Sequence, residues 1–205
     1  MNKLFRLSSS LAAVAVSATG AFMLTASSPA VPATVVGPFF NPISGLNLFV
    51  VPPGTWTQCE KAAQELGGTL LTISSAEENQ FVIKNVLRDF SDNGGPNLSY
   101  RPLWIGLHDP TGAARDDGAG GASSQHAANF IWVNDSPMTY RNWNTDTGEP
   151  NNFQPREYYG AINWHTAHGD SGVIGTWNDV PVNGTVSRGG NTDGPYYGIA
   201  AVPVR

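Results

Sequence analysis

The sequence predicts an α+β domain, and three observations carry that prediction. Two helix starts, each marked by a capping residue with its partner three positions on, lie close together in the first half of the chain. After them the helical period disappears, and only short β-type runs remain, separated by irregular segments. Composition agrees: 23 Gly, 15 Pro and only 13% charged residues among 205 point to turn-built structure rather than a helical bundle. The length suits one domain with extensions and is ample for a hydrophobic core.

In chain order, Lys3 and Arg6 precede an apolar run from Leu11 to Leu24, followed by the small residues Ser28-Pro29-Ala30. A membrane span needs roughly 20 apolar residues, and this run is shorter and interrupted by Ser17, Thr19 and Gly20. Residues 1–30 are therefore expected to be a cleaved secretory signal peptide, and no later segment is apolar enough to anchor the chain. Residues 31–45 read as an extended Pro/Gly-rich lead-in without periodicity, and 46–205 as the folded domain. Leu46 to Val51 is a plausible first strand. Thr55 with Gln58 forms a capping box and Gly67-Gly68 a stop, which frames a helix from Trp56 to Leu66. Ser75 with Glu78 opens a second helix from about Ala76 to Asp89, with Phe81, Val82, Val86 and Leu87 facing inward, failing near Asn93-Gly94-Gly95-Pro96. Leu103–Leu107, Asn129–Val133, Tyr158–Asn163, Gly175–Asn178 and Tyr197–Val202 are the expected strands, and Gly112 to Ser124 reads as a glycine-rich insertion of no fixed shape.

Without residues 1–30 the chain loses two bases and no acid, so its formal charge moves from −5 to −7. Such a surface repels phosphate backbones, which argues against a nucleic-acid partner. Cys59 is the single cysteine, so no intrachain disulfide can form. It shares a helical face with Trp56, Ala63 and Leu66 and reads as a small buried hydrophobe.

The chemistry-bearing residues gather late in the chain. Glu149, Glu157 and Asp179 offer carboxylates, while Asn151 and Asn178 offer amide carbonyls. Ca²⁺ takes 6 to 8 such oxygens at roughly 2.3–2.6 Å.

In order, the runs Thr55-Trp56-Thr57-Gln58-Cys59, Leu66-Gly67-Gly68-Thr69-Leu70, Ile73 to Asn79, Trp104-Ile105-Gly106-Leu107, Phe130 to Asp135, Tyr140-Arg141-Asn142-Trp143, Glu149-Pro150-Asn151-Asn152 and Trp177-Asn178-Asp179 resemble the C-type lectin domain family. A lone Glu-Pro-Asn is a weak signal; the ordered set, from near Leu46 to the C-terminus, is a strong one. The resemblance implies two helices, small antiparallel sheets and a long calcium-binding loop region. It assigns Glu149, Asn151, Glu157, Asn178 and Asp179 as Ca²⁺ ligands and the first four as sugar contacts, with a cis Glu149–Pro150 bond. It also implies preference for mannose, glucose, N-acetylglucosamine or fucose over galactose, because the order is Glu-Pro-Asn. The positions that usually carry disulfide cysteines read here as Ala63 with Ala200, and as positions near Tyr159 and Val182, which resembles the family's disulfide-free bacterial branch. Asp109 matches a ligand of a second calcium site, whereas Asn152 and Tyr158 stand where further acids are expected, with Asp116 and Asp117 as possible substitutes. Trp143 and Trp164 are candidate stacking faces for sugar but are more simply core.

Two other readings compete. His165-Thr166-Ala167-His168 with Asp170 could ligate a transition metal on a helix, but Gly169 and Gly172 favour a loop, and the pair Glu149 and Glu157 could evoke a glycosidase. The chain is read as non-enzymatic because calcium ligation accounts for Pro150, Asn151 and the Trp-Asn-Asp run better. The other alternative is an adhesion module of the same fold that binds a protein or another surface without sugar. A secreted, periplasmic or cell-surface location follows from the leader.

Overall fold

The capping box at Thr55 forms as its sequence directs. The Thr55 hydroxyl accepts from the Gln58 N–H, and the Gln58 side chain accepts from the Thr55 N–H. Two otherwise orphaned donors are thereby satisfied at the helix start. In the computed structural model, which describes residues 34–112, 124–153, 156–167, 174–184 and 194–204, the order of elements is β1 (Val36–Asn41), β2 (Leu46–Gly54), α1 (Trp56–Glu65), β3 (Thr69–Leu70), α2 (Ala76–Asn85), β4 (Leu103–His108), α3 (Ser124–Asn129), β5 (Ile131–Trp132), β6 (Tyr159–Ile162), α4 (Trp164–Ala167), β7 (Trp177–Val180) and β8 (Tyr196–Pro203). Residues 1–30, expected to be a leader, most of the Gly112–Ser124 insertion with Asp116 and Asp117, and His168 with Asp170 lie outside the described residues.

Among the described residues the strands join in one mixed sheet in the order β1-β2-β8-β4-β6-β7, with β3 on β8 and β5 on β4. The last long strand, β8, runs antiparallel to β2 (Leu48 opposite Ala201) and parallel to β4 (Leu103 opposite Tyr197), tying the two ends of the domain into its centre. Both faces of this centre are buried, as the alternation of side chains shows. Leu48 and Val50, Leu103 and Ile105, and Ile199 enter one apolar cluster with Val82 and Val86 of the α2 region. Val51, Trp104 and Ala200 enter the other with Trp56, Cys59 and Ala63 of α1. Contact with α1 is close at Gly198 of β8, where an added Cβ would lie 2.7 Å from the Cβ of Cys59. Burial pushes the Cys59 thiol up to about 12, so it remains a protonated core residue. Ala63 and Ala200 are fully buried in that same cluster, with Tyr159 and Val182 packed at its edge, so apolar packing occupies these positions.

Several boundaries differ from the sequence expectation. The 31–45 stretch contains β1, antiparallel to β2 (Phe39 opposite Leu48), so an edge strand precedes Leu46. The second helix stops at Asn85 rather than Asp89. There the Asn85 amide turns back onto the Phe81 carbonyl at 2.8 Å and the Val82 carbonyl accepts from both Val86 and Leu87. Val86 and Leu87 remain buried although they lie beyond the helix. The Asn129–Val133 run begins as the end of α3 and contributes only two strand residues, and the strands form one sheet rather than several small ones. Among the described residues no helix is long and apolar enough to cross a membrane.

One contact carries the site's placement. Asn79 of α2 accepts from the Trp177 indole N–H at 3.0 Å and donates to the Gly175 carbonyl at 3.1 Å, fixing the start of β7 against the helix. Replacing Asn79 with Ala strands the buried Trp177 indole donor, while the Gly175 carbonyl keeps the Asn142 amide at 2.8 Å, and the change is expected to cost about 1–3 kcal/mol. Urea denaturation should show this as a lower midpoint at unchanged slope.

Candidate functional site

The β7 strand is buried at all four positions, with the Trp177 indole edge-on to Trp132, Tyr140 and Trp143 at 5.5, 5.6 and 5.9 Å. Its backbone pairs with the preceding loop: Trp177 N–H donates to the Asn142 carbonyl at 2.8 Å, and Asn144 N–H donates to the Trp177 carbonyl at 3.0 Å. From Asn144 the chain makes a short 3-10 turn over Thr145–Thr147 and closes it at Gly148, where φ is 86°, a conformation that glycine adopts without a Cβ penalty. Glu149 N–H returns to the Asn144 carbonyl at 3.1 Å, and the Glu149–Pro150 peptide is cis.

The two halves of the ligand sequence then meet. Asn151 and Asn152 N–H groups donate to the two oxygens of Asp179, at 3.0 and 2.7 Å. Glu157 N–H donates to the Asn152 side-chain oxygen at 3.1 Å, and the Phe153 N–H donates to Glu157 Oε2 at 2.6 Å. Asn178 donates through its amide nitrogen to the Asp179 carbonyl at 3.0 Å. Glu149, Glu157, Asn178 and Asp179 are all buried. The residues singled out from sequence are thus brought to one place.

Electrostatics at this place is unfavourable without a cation. Burial pushes Glu149 up to about 7, with the facing Asp179 carboxylate adding to the effect and a hydrogen bond from His165 opposing it. Burial, reinforced by the Asp179 and Glu149 charges, pushes Glu157 up to about 9 despite the Phe153 N–H. Two acceptors, Glu149 Oε2 and Asn151 Oδ1, are buried with no hydrogen-bond partner. Hard, oxygen-only donors of this kind, three carboxylates among them, match the chemistry of Ca²⁺. As the side chains stand, no group of three or more His, Cys, Asp and Glu among the described residues forms a ready-made metal cluster. Both Asp179 oxygens and one of Glu157 are turned to backbone N–H groups, so an ion would compete with those donors.

A raised carboxyl pKa favours the fold while the group is protonated and disfavours it once ionised. The contribution of Glu149 and Glu157 to metal-free stability is therefore complete below the usual glutamate value of 4.5 and is lost as pH rises through about 7 and then about 9. Thermal melts in chelator across that range should show a falling transition; a flat profile would contradict the mutual repulsion described here.

Other sequence candidates separate from this cluster. Asp109 is buried, and its Oδ1 accepts from Thr111 N–H, Thr111 Oγ1 and Gly112 N–H at 2.8, 2.7 and 2.9 Å, so this carboxylate closes a turn. Trp143 is core, and Trp164 packs partly buried against the α1 cluster. The segment expected to be a loop at His165 is instead the short helix α4. His165 was visible in sequence only as a partner for His168, and no periodicity links it to Glu149. It is nevertheless buried beside Glu149 and Asn178.

A family model, the lectin C-type domain, matches residues 53–183, well over half of the chain, and the chain belongs to that family. It is 30% identical over 138 residues to mouse regenerating islet-derived protein 3-alpha, covering 67% of this chain and 65% of the relative, so it spans about two thirds of that protein's length. It is 29% identical over 137 residues to a perlucin-like protein of the mussel Mytilus galloprovincialis, covering 66% of this chain and 68% of the relative. The herring type II antifreeze protein superposes with a TM-score of 0.50 at 21% identity, covering 82% of this chain and 95% of that one, a likeness of fold.

Proposed function

We propose that this chain is an exported, calcium-dependent carbohydrate-binding protein with an ion site made by Glu149, Asn151, Glu157, Asn178 and Asp179. The observation that carries this reading is the convergence of three carboxylates and two amides where Glu149 Oε2 and Asn151 Oδ1 are buried without hydrogen-bond partners. Ca²⁺ would answer both the orphaned acceptors and the repulsion. Three carboxylates against one Ca²⁺ leave a local charge near −1, in keeping with affinity of about 10⁻⁴–10⁻³ M or somewhat tighter.

Sugar would complete the coordination through two vicinal hydroxyls. Each hydroxyl can donate to a carboxylate and accept from an amide, with Glu149 and Asn151 serving one and Glu157 and Asn178 the other. The Glu-Pro-Asn order selects sugars with equatorial 3- and 4-hydroxyls, such as mannose, glucose and N-acetylglucosamine, with fucose presenting a suitable pair. Export rests on the leader-like residues 1–30, and the acidic charge speaks against nucleic acid.

Competition by monosaccharide tests the reading. Binding to an immobilised mannose-rich glycan in calcium should be displaced by free mannose and left intact by free galactose. Retention of the glycan without calcium would remove the ion from this reading, and indifference to every monosaccharide would place the protein among the modules of this fold that bind other surfaces.

A further inference from the structure

We infer that His165 is a positioning residue of the proposed calcium site, tying together the two pairs of ligands that Glu149 and Asn178 represent. The inference rests on the calcium reading above and concerns a residue outside the five ligands. One nitrogen, Nε2, stands 3.1 Å from Thr147 Oγ1, 3.3 Å from Asn178 Oδ1 and 3.4 Å from Glu149 Oε1. All three neighbours accept. The Thr147 hydroxyl spends its proton on the Asn144 carbonyl at 3.0 Å, Asn178 uses its amide nitrogen on the Asp179 carbonyl, and Glu149 offers a carboxylate oxygen. Nε2 is therefore the nitrogen that carries hydrogen and donates into this group.

The consequence is selective. The shared Nε2–H lies against Glu149 Oε1, and Oε2, the buried acceptor without a hydrogen-bond partner, is the one left for an ion. Asn178 Oδ1 has a second lone pair and can accept from His165 while facing a cation. Thr147 and Glu149 belong to the loop before the cis peptide, Asn178 to β7, and His165 to α4 in the 163–176 connection, so one imidazole joins three separate segments. Its ring is edge-on to Trp164 at 4.7 Å, and the residue is only 4% exposed, which keeps it away from a bound sugar and confines it to acting through the ligands. Outer partners of this kind usually govern metal affinity by about 10–100-fold, because they hold a ligand oxygen in the orientation that binds.

Calorimetric calcium titrations at one fixed pH, on the full chain and on His165→Ala, His165→Gln and His165→Asn, test the inference. Gln can carry an N–H to the place of Nε2; Asn is too short. Calcium affinity should fall about 10–100-fold in His165→Ala and His165→Asn and return most of the way in His165→Gln. Melting temperatures in chelator should not differ between His165→Gln and His165→Asn. In the metal-free parent, NMR should detect a slowly exchanging His165 Nε2 proton. A parent that binds calcium while His165→Ala binds it equally well overturns the inference and leaves the calcium reading standing. A parent that binds no calcium overturns both. If His165→Ala fails to fold, the Gln and Asn variants decide: equal affinity in the two, whether lost or retained, overturns the role of the Nε2–H donor.

Discussion

Chelation of calcium is expected to release bound sugar completely and to lower the melting temperature by several degrees. Without the ion, Glu149, Glu157 and Asp179 share a buried volume in which burial and mutual charge push Glu149 and Glu157 well above the usual carboxylate range. An ion that binds only the folded state adds about 2.7 kcal/mol when present at a hundred times its dissociation constant. For a domain of this size each kcal/mol moves the melting temperature by about 2–4 °C, so the shift is easily read by calorimetry. Protons and calcium compete for the same oxygens. Loading should therefore release protons, and apparent calcium affinity should rise as pH increases towards about 9, the value to which Glu157 is pushed. Titration in buffers of different ionisation enthalpy measures that release. A melting temperature indifferent to chelator would remove calcium from the account of this site.

The parts of the fold legible in sequence were those with local causes. Thr55 with Gln58 and Ser75 with Glu78 mark helix starts because a cap is satisfied within three residues. The end of α2 was not legible, since Val86 and Leu87 continue the apolar period while packing outside the helix. Nor was β1: Gly37 and Pro38 break any strand pattern, and that strand exists through its pairing with β2. The parallel contact of β4 with β8 joins residues nearly a hundred positions apart, which no periodicity reports. At the candidate site the donor types were legible, because Ca²⁺ chemistry is written in residue identity. The turning of Asp179 to the Asn151 and Asn152 amides and the place of His165 against Asn178 join residues 13 to 28 positions apart, a long-range matter on which residue identity is silent.

Exchange of the specificity pair gives the sharpest result expected of this chain. Glu149→Gln combined with Asn151→Asp keeps one carboxylate and one amide, and with them the net charge, but reverses which position accepts from the sugar hydroxyl and which donates to it. Calcium should still bind, because the donor count and charge are retained, though the amide at 149 would meet the Nε2–H of His165 as a weaker acceptor than the carboxylate oxygen it replaces. Preference should move from mannose-type sugars towards galactose. A misdirected donor or acceptor in a desolvated contact costs about 1–3 kcal/mol, so mannose affinity should fall by roughly 5- to 150-fold. Paired titrations with mannose and galactose in saturating calcium measure the shift, and circular dichroism checks the fold. Were the double variant to keep the parent's affinity for mannose, Glu149 and Asn151 could not be the sugar-selecting pair, even with calcium still bound between them.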